Sequence, residues 1–126
     1  MIKNVDHIII AVEDLKSAED NYTKIFGIEP VWRGFHNELG TSNVLFNFEN
    51  TYLELLAATG SGIGADMVND TIQKNGDGLL GLVLGTKNIN TFNKKTNEAG
   101  YLLSEVISGE GKNEQNEKRK WLYQLL

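Results

Sequence analysis

The chain has no cysteine, one proline and only two histidines in 126 residues. Without cysteine there is no disulfide, no thiolate metal site and no cysteine nucleophile, a pattern that fits a cytoplasmic protein. There is no basic excess either. Twelve Lys and Arg stand against 17 Asp and Glu, a net charge of −5, whereas non-specific nucleic-acid binding needs a basic face. No apolar run approaches the roughly 18 to 20 residues that span a bilayer, so no membrane insertion is expected. Residues 1–4 have no signal-peptide layout. A hydrophobic content of 40% supports a folded soluble chain, read as one domain over 1–126 or two small modules sharing a core.

With so few versatile side chains, their placement is informative. In VDHIIIAVEDL (5–15) one imidazole, His7, interrupts an apolar strand. Strand side chains alternate, so Val5, His7, Ile9 and Ala11 share a face. A polar ring there needs a hydrogen bond, a metal or a ligand, and a satisfied core or rim histidine is one open reading. Glu54 in Tyr52–Leu56 repeats the situation.

Asp14 is placed to cap a helix, with Leu15, Ala18, Tyr22, Ile25 and Phe26 as its buried stripe and Gly27 as its stop. Residues 28–32, with Pro30 near their start, read as a short strand. A loop over 33–41, holding Phe35 and His36, follows. Strands over 42–48 and 51–57 form a hairpin across Glu49-Asn50. Residues 58–64 are small and glycine-rich and read as a linker. They lack the lysine of a P-loop and the context of a dinucleotide fingerprint. A short helix marked by Ala65, Val68 and Ile72 leads to a turn at Asn75–Gly78. Residues 79–84 read as a second buried strand, and Asn88 caps a helix that stops at Gly100. Residues 101–107 form a strand, 109–120 a charged loop, and 121–126 a final strand.

HIIIAVEDL at 7–15 aligns with GLVLGTKNI at 81–89, an offset of 74 (81 − 7). The helix stops Gly27 and Gly100 agree with it to within one residue. The chain therefore reads as a pattern repeat of two strand-helix-strand halves.

Such a module, with a histidine in its first strand and a glutamate in its last, resembles the vicinal oxygen chelate superfamily of glyoxalase I, extradiol dioxygenases and bleomycin-resistance proteins. The matching stretches are VDHIIIAVEDL, IFGIEP (25–30) and NTYLELL (50–56). HNELGTSNVLF (36–46) is similar to the glyoxalase-like domain group. The resemblance implies an α+β fold of two tandem βαβββ modules around a cupped mixed sheet: module one over 1–57, linker and short helix over 58–78, module two over 79–126. It implies His7 and Glu54 as ligands of a divalent metal (zinc, iron, nickel or manganese), with Glu54 as a general base. The activities it implies are isomerase, lyase or dioxygenase, on a substrate with vicinal oxygens.

Three departures qualify this. The position matching His7 in module two is Gly81. The matching carboxylate falls near 128 (81 + 47), past Leu126, so the last strand of module two is missing. Two protein ligands are also fewer than the three or four that iron and zinc centres use. His36 is a candidate third ligand or substrate contact. Asn43 and Trp32 are candidate substrate contacts, although a water-facing edge and an ordinary core aromatic explain them as well. The rival readings are a metal-free binding or sequestering protein of the bleomycin-resistance type, and a remnant in which His7 and Glu54 bond to each other. An uncovered last strand is an association hazard: either the chain is a fragment of a longer protein whose next strand is absent, or a second copy covers the edge, and a homodimer is expected.

Overall fold

A computed structural model describes all 126 residues, Met1–Leu126. The elements are β1 (Ile2–Ala11), α1 (Leu15–Phe26), β2 (Trp32–His36), β3 (Thr41–Asn47), β4 (Tyr52–Ala58), α2 (Ile63–Asn75), β5 (Gly78–Thr86), α3 (Ile89–Glu98), β6 (Ile107–Asn113) and β7 (Lys118–Tyr123). The strands form one curled α+β sheet in the order β5-β1-β4-β3-β2-β6-β7.

The repeat is visible in the pairing. β1 runs parallel to β4, and β2, β3 and β4 follow as antiparallel neighbours. β5, the counterpart of β1, lies antiparallel beside it, as a twofold relation between modules requires. β6 and β7 form a hairpin like β2 and β3. It is β6 that joins the sheet, against the far edge of β2. No strand lies between β5 and β7, so both are edges.

Each face has its own cover. α1 starts where the Asp14 carboxylate accepts from the Ser17 N–H at 2.9 Å and stops at Gly27, whose φ of 68° suits a residue without Cβ. It packs Ala18, Tyr22 and Phe26 over Val44, Phe46, Leu53 and Leu55, the outer face of the sheet. Ile25, expected in that stripe, is 71% exposed. Glu19 anchors the helix to β2, its two oxygens accepting from Arg33 Nε at 2.6 Å and Nη2 at 3.2 Å. That guanidinium holds the Glu19 carboxyl below the usual carboxylate range. α2 closes one end of the opposite, concave face by setting Val68 against Ala11 and Leu56.

Several expected boundaries are corrected. The strand expected over 28–32 begins only at Trp32 and runs to His36. Pro30 has no N–H to pair, and before Trp32 only the Val31 N–H reaches Leu45 O, at 2.9 Å. His36 therefore sits in a strand, buried, and not in a loop. The supposed linker is packed: at Gly40, φ +71°, a Cβ would meet the Ser61 backbone at 2.6 Å, and Gly60 N–H donates to Gly40 O. The short helix is a 13-residue one that begins at Ile63.

β5 is not a buried strand, since Leu79 and Leu82 are 61% and 58% exposed at an uncovered edge. The strand expected over 101–107 and the loop over 109–120 are replaced by the β6–β7 hairpin. Its turn is made by Asn113, whose Oδ1 accepts from the N–H groups of Gln115 and Glu117.

Phe46 is fully buried under Phe26. Phe46→Ala should cost about 3–5 kcal/mol, whereas Leu82→Ala should stay within about 0.5 kcal/mol. Urea denaturation of the two variants measures both.

Candidate functional site

The parallel register of β1 and β4 pairs His7 with Tyr52 and Ile9 with Glu54. His7 and Glu54 are thus diagonal neighbours on the concave face. His7 Nε2 lies 3.2 Å from Glu54 Oε1, and Nδ1 lies 2.8 Å from Asp6 Oδ2. A neutral imidazole has one N–H and can satisfy only one ionised carboxylate; both bonds together need the imidazolium. Burial pushes His7 down, but the hydrogen bonds it donates to Glu54 and then Asp6 outweigh it, and its pKa rises above the ordinary value of 6.5. The ring stacks on Tyr52, centroids 4.3 Å apart. Tyr52 OH donates to Asp6 Oδ2 at 3.2 Å. Burial, then the charges of Asp6 and Glu54, push this phenol upward.

Asp6 is not among the sequence candidates. Alternation assigns it to the opposite face, but β1 shifts register against β5 between Val5 and His7. That irregularity frees the Asp6 side chain to reach the ring.

Glu54 is buried, and Asn43 Nδ2 donates to its second oxygen at 2.8 Å. The carboxylate dictates which way the amide points, and Asn43 Oδ1 is left buried without a donor. The carboxylate is thus fixed between an imidazolium and an amide.

The other sequence candidates stand around this pair. His36 is buried, with Nδ1 2.7 Å from Thr41 Oγ1 and its ring edge-on to Trp121. Burial lowers its pKa, opposed weakly by the charge of Glu54. Trp32 lies buried on the same face, with the Arg119 guanidinium 4.4 Å from its ring centroid. Gly34 gives the indole room, since a Cβ there would meet Trp32 Nε1 at 2.4 Å. Trp121, Arg119 and Tyr52 are further members that sequence reasoning missed; the first two fall in a segment that reads as loop and strand end.

A divalent metal finds few donors. His7 Nε2 and Glu54 are suitable types, but they are spent on each other. Gly81 faces open space with no side chain. His36 is engaged by Thr41, and no three His, Asp or Glu side chains converge to hold an ion. Two donors do not fit a resident centre of three or four. Two surface clefts, of about 130 Å³ beside Trp32 and Asn113 and about 420 Å³ beside Glu19 and Arg33, do not reach His7 or Glu54.

Comparison with known proteins places these features in a family. The family model described as "Glyoxalase-like domain" matches residues 5–123. Among curated proteins there is no significant match. Of solved structures, a Streptomyces coelicolor methylmalonyl-CoA epimerase variant in complex with 2-nitronate-propionyl-CoA superposes with TM-score 0.72 and 19% identity, over 97% of this chain and 94% of that one. The Mycobacterium tuberculosis methylmalonyl-CoA epimerase gives 0.73 and 19%, over 97% and 79%. A hypothetical protein from Staphylococcus aureus gives 0.79 and 21%, over all of this chain but 54% of that one. No helix of the chain is long and apolar enough to cross a membrane.

The two histidines should titrate on opposite sides of 6.5, His7 above and His36 below, in an NMR pH titration of the imidazole carbons. The linkage signs are opposite. His7 contributes stability that is full below 6.5 and is lost as pH rises through its raised value. His36 contributes stability that is full above 6.5 and is lost as pH falls below it toward its lowered value. In His7→Gln, the decline in stability above 6.5 should therefore be reduced while the loss below 6.5 persists.

Proposed function

We propose that this chain, which belongs to the glyoxalase-like domain family, binds a small molecule with neighbouring oxygens on its concave face and moves a proton there through Glu54. The observation that carries this reading is the buried Glu54 carboxylate, held between His7 Nε2 and Asn43 Nδ2. Glu54 is the base that takes a proton from carbon beside a carbonyl. As the C–H bond breaks, its electron pair moves onto the carbonyl oxygen. The His7 imidazolium stabilises that developing charge. Return of the proton by Glu54 to the carbon it left gives exchange with solvent, and return to the neighbouring carbon, with a proton passing between the two oxygens, completes an isomerisation.

Among isomerase, lyase and dioxygenase chemistry, proton relocation asks least of these groups. It needs a base and an oxyanion partner, and both are present without metal. The structural neighbours named epimerases support the same class. His36, Asn43 and Trp32 surround the ligand in this reading.

Gly81 favours a second reading, metal-free ligand sequestration, because it removes the side chain that would stand beside His7 on the neighbouring strand. For assembly we propose a homodimer. β5 and β7 leave backbone groups unpaired, and Leu79, Leu82 and Leu122 are exposed beside them.

Solvent deuterium incorporation into methylmalonyl-CoA and into hydroxyacetone tests proton transfer. Catalysed exchange is expected with at least one, and Glu54→Gln should slow it about 10²- to 10⁴-fold. Binding of both compounds without exchange above the solvent background would replace the isomerase reading with sequestration. Sedimentation at micromolar concentration should give twice the monomer mass of 14.0 kDa; a monomer contradicts the dimer.

A further inference from the structure

We propose that Arg119 is an anion anchor at the mouth of the concave face, receiving a carboxylate or phosphate group of the ligand that the His7–Glu54 site takes. The inference rests on the reading of that face as a small-molecule site and adds the charge of the ligand to it.

The chain has two arginines, Arg33 and Arg119. Arg33 is committed to Glu19 in a two-pronged ion pair. Arg119 is paired with nothing. In a chain with 17 acidic residues it takes part in none of the ion pairs and none of the side-chain hydrogen bonds, although Lys118 beside it reaches Glu110. Its position is nevertheless fixed. In the β6–β7 register Arg119 faces Gly111 and Trp121 faces Gly109, so the two side chains share the face on which Trp121 meets His36. The guanidinium lies across Trp32, Cζ 4.4 Å from the ring centroid.

Stacking holds one face of the guanidinium and leaves its N–H edge free. A planar fork on an aromatic plate is pre-organised for two oxygens of one anion, and it is less strongly hydrated than an ammonium. Its charge is felt at Tyr52, where it opposes the upward push of the carboxylates. It therefore acts on the same space as His7 and Glu54. In a face lined by Asp6 and Glu54, an anionic ligand would otherwise be repelled. A free arginine at the opening offsets that repulsion and orients the ligand, with its anionic end outward and its reacting carbon toward Glu54.

Lys120 supplies the control. It is the next residue on the same exposed strand and points to the opposite face, and it too lacks an ion pair. NMR titration with glycolate, inorganic phosphate and ethylene glycol, following the Trp32 indole N–H and the His7 ring, tests the anchor. Arg119→Gln should weaken both anions about tenfold or more, and Arg119→Lys should weaken them less, since it keeps charge without the fork. Lys120→Gln should change them by less than about twofold, as a screened charge facing away. Ethylene glycol should not respond to any of the three.

Anion binding that survives Arg119→Gln, or that falls equally in Lys120→Gln, overturns the anchor. If glycolate then still shifts His7, the concave-face site stands without it. If no probe shifts either His7 or Trp32, both readings fail together.

Discussion

The parallel pairing of β1 with β4 is the constraint on which the site depends. Parallel strands need a long crossover, here α1 with the β2–β3 hairpin, and that crossover brings Trp32, His36 and Asn43 to the concave face. The register places Ile9 opposite Glu54, so His7 and Glu54 meet diagonally at 3.2 Å. A slip of one residue in either strand would turn its ionisable group toward α1, where Val12, Phe46 and Leu55 are packed without a polar partner. The hydrophobic pattern that fixes the fold therefore also fixes the site.

Around that pair the chain uses glycine to make room for large flat groups. Gly34 lies under Trp32, Gly109 under Trp121, and Gly111 beside His36. Each is on the concave side of its strand, so the inner wall consists of rings laid against backbone. Charge is arranged with equal economy. One imidazolium is shared by two carboxylates, one amide holds the outer oxygen of Glu54, and one arginine is left unpaired over an indole. The resemblance read in the sequence implies four metal-facing positions, two from each module. Here Gly81 and the engagement of His36 with Thr41 leave two, and those two neutralise each other.

Much of module one is legible in the sequence because local signals and tertiary demands agree there. Asp14 caps, Gly27 stops, the hairpin alternates, and His7 and Glu54 stand out as ionisable groups in apolar strands. The equivalence of β1 and β5 is legible through the offset repeat alone, and their antiparallel pairing comes from the structure. What escapes depends on partners remote in sequence. Asp6 joins His7 through a register irregularity that only the pairing with β5 creates. His36 reads as loop because the strand expected around Pro30 starts four residues too early, at 28 and not at Trp32. Arg119 and the turn at Asn113 lie in a stretch whose charge suggests solvent, while its strand character comes from pairing with β2 and from glycines that carry no hydrophobic signal. The exposed leucines of β5 read as core because apolar composition does not reveal that a neighbouring strand is absent.

The central claim is that His7 and Glu54 act as one proton-handling unit. A double-mutant cycle of His7→Gln, Glu54→Gln and the pair, read on the rate of deuterium exchange, tests it most directly. If the two act as a unit, the double variant loses no more than the more damaged single variant, as groups sharing one step do. Losses that multiply would show two independent roles and contradict the account.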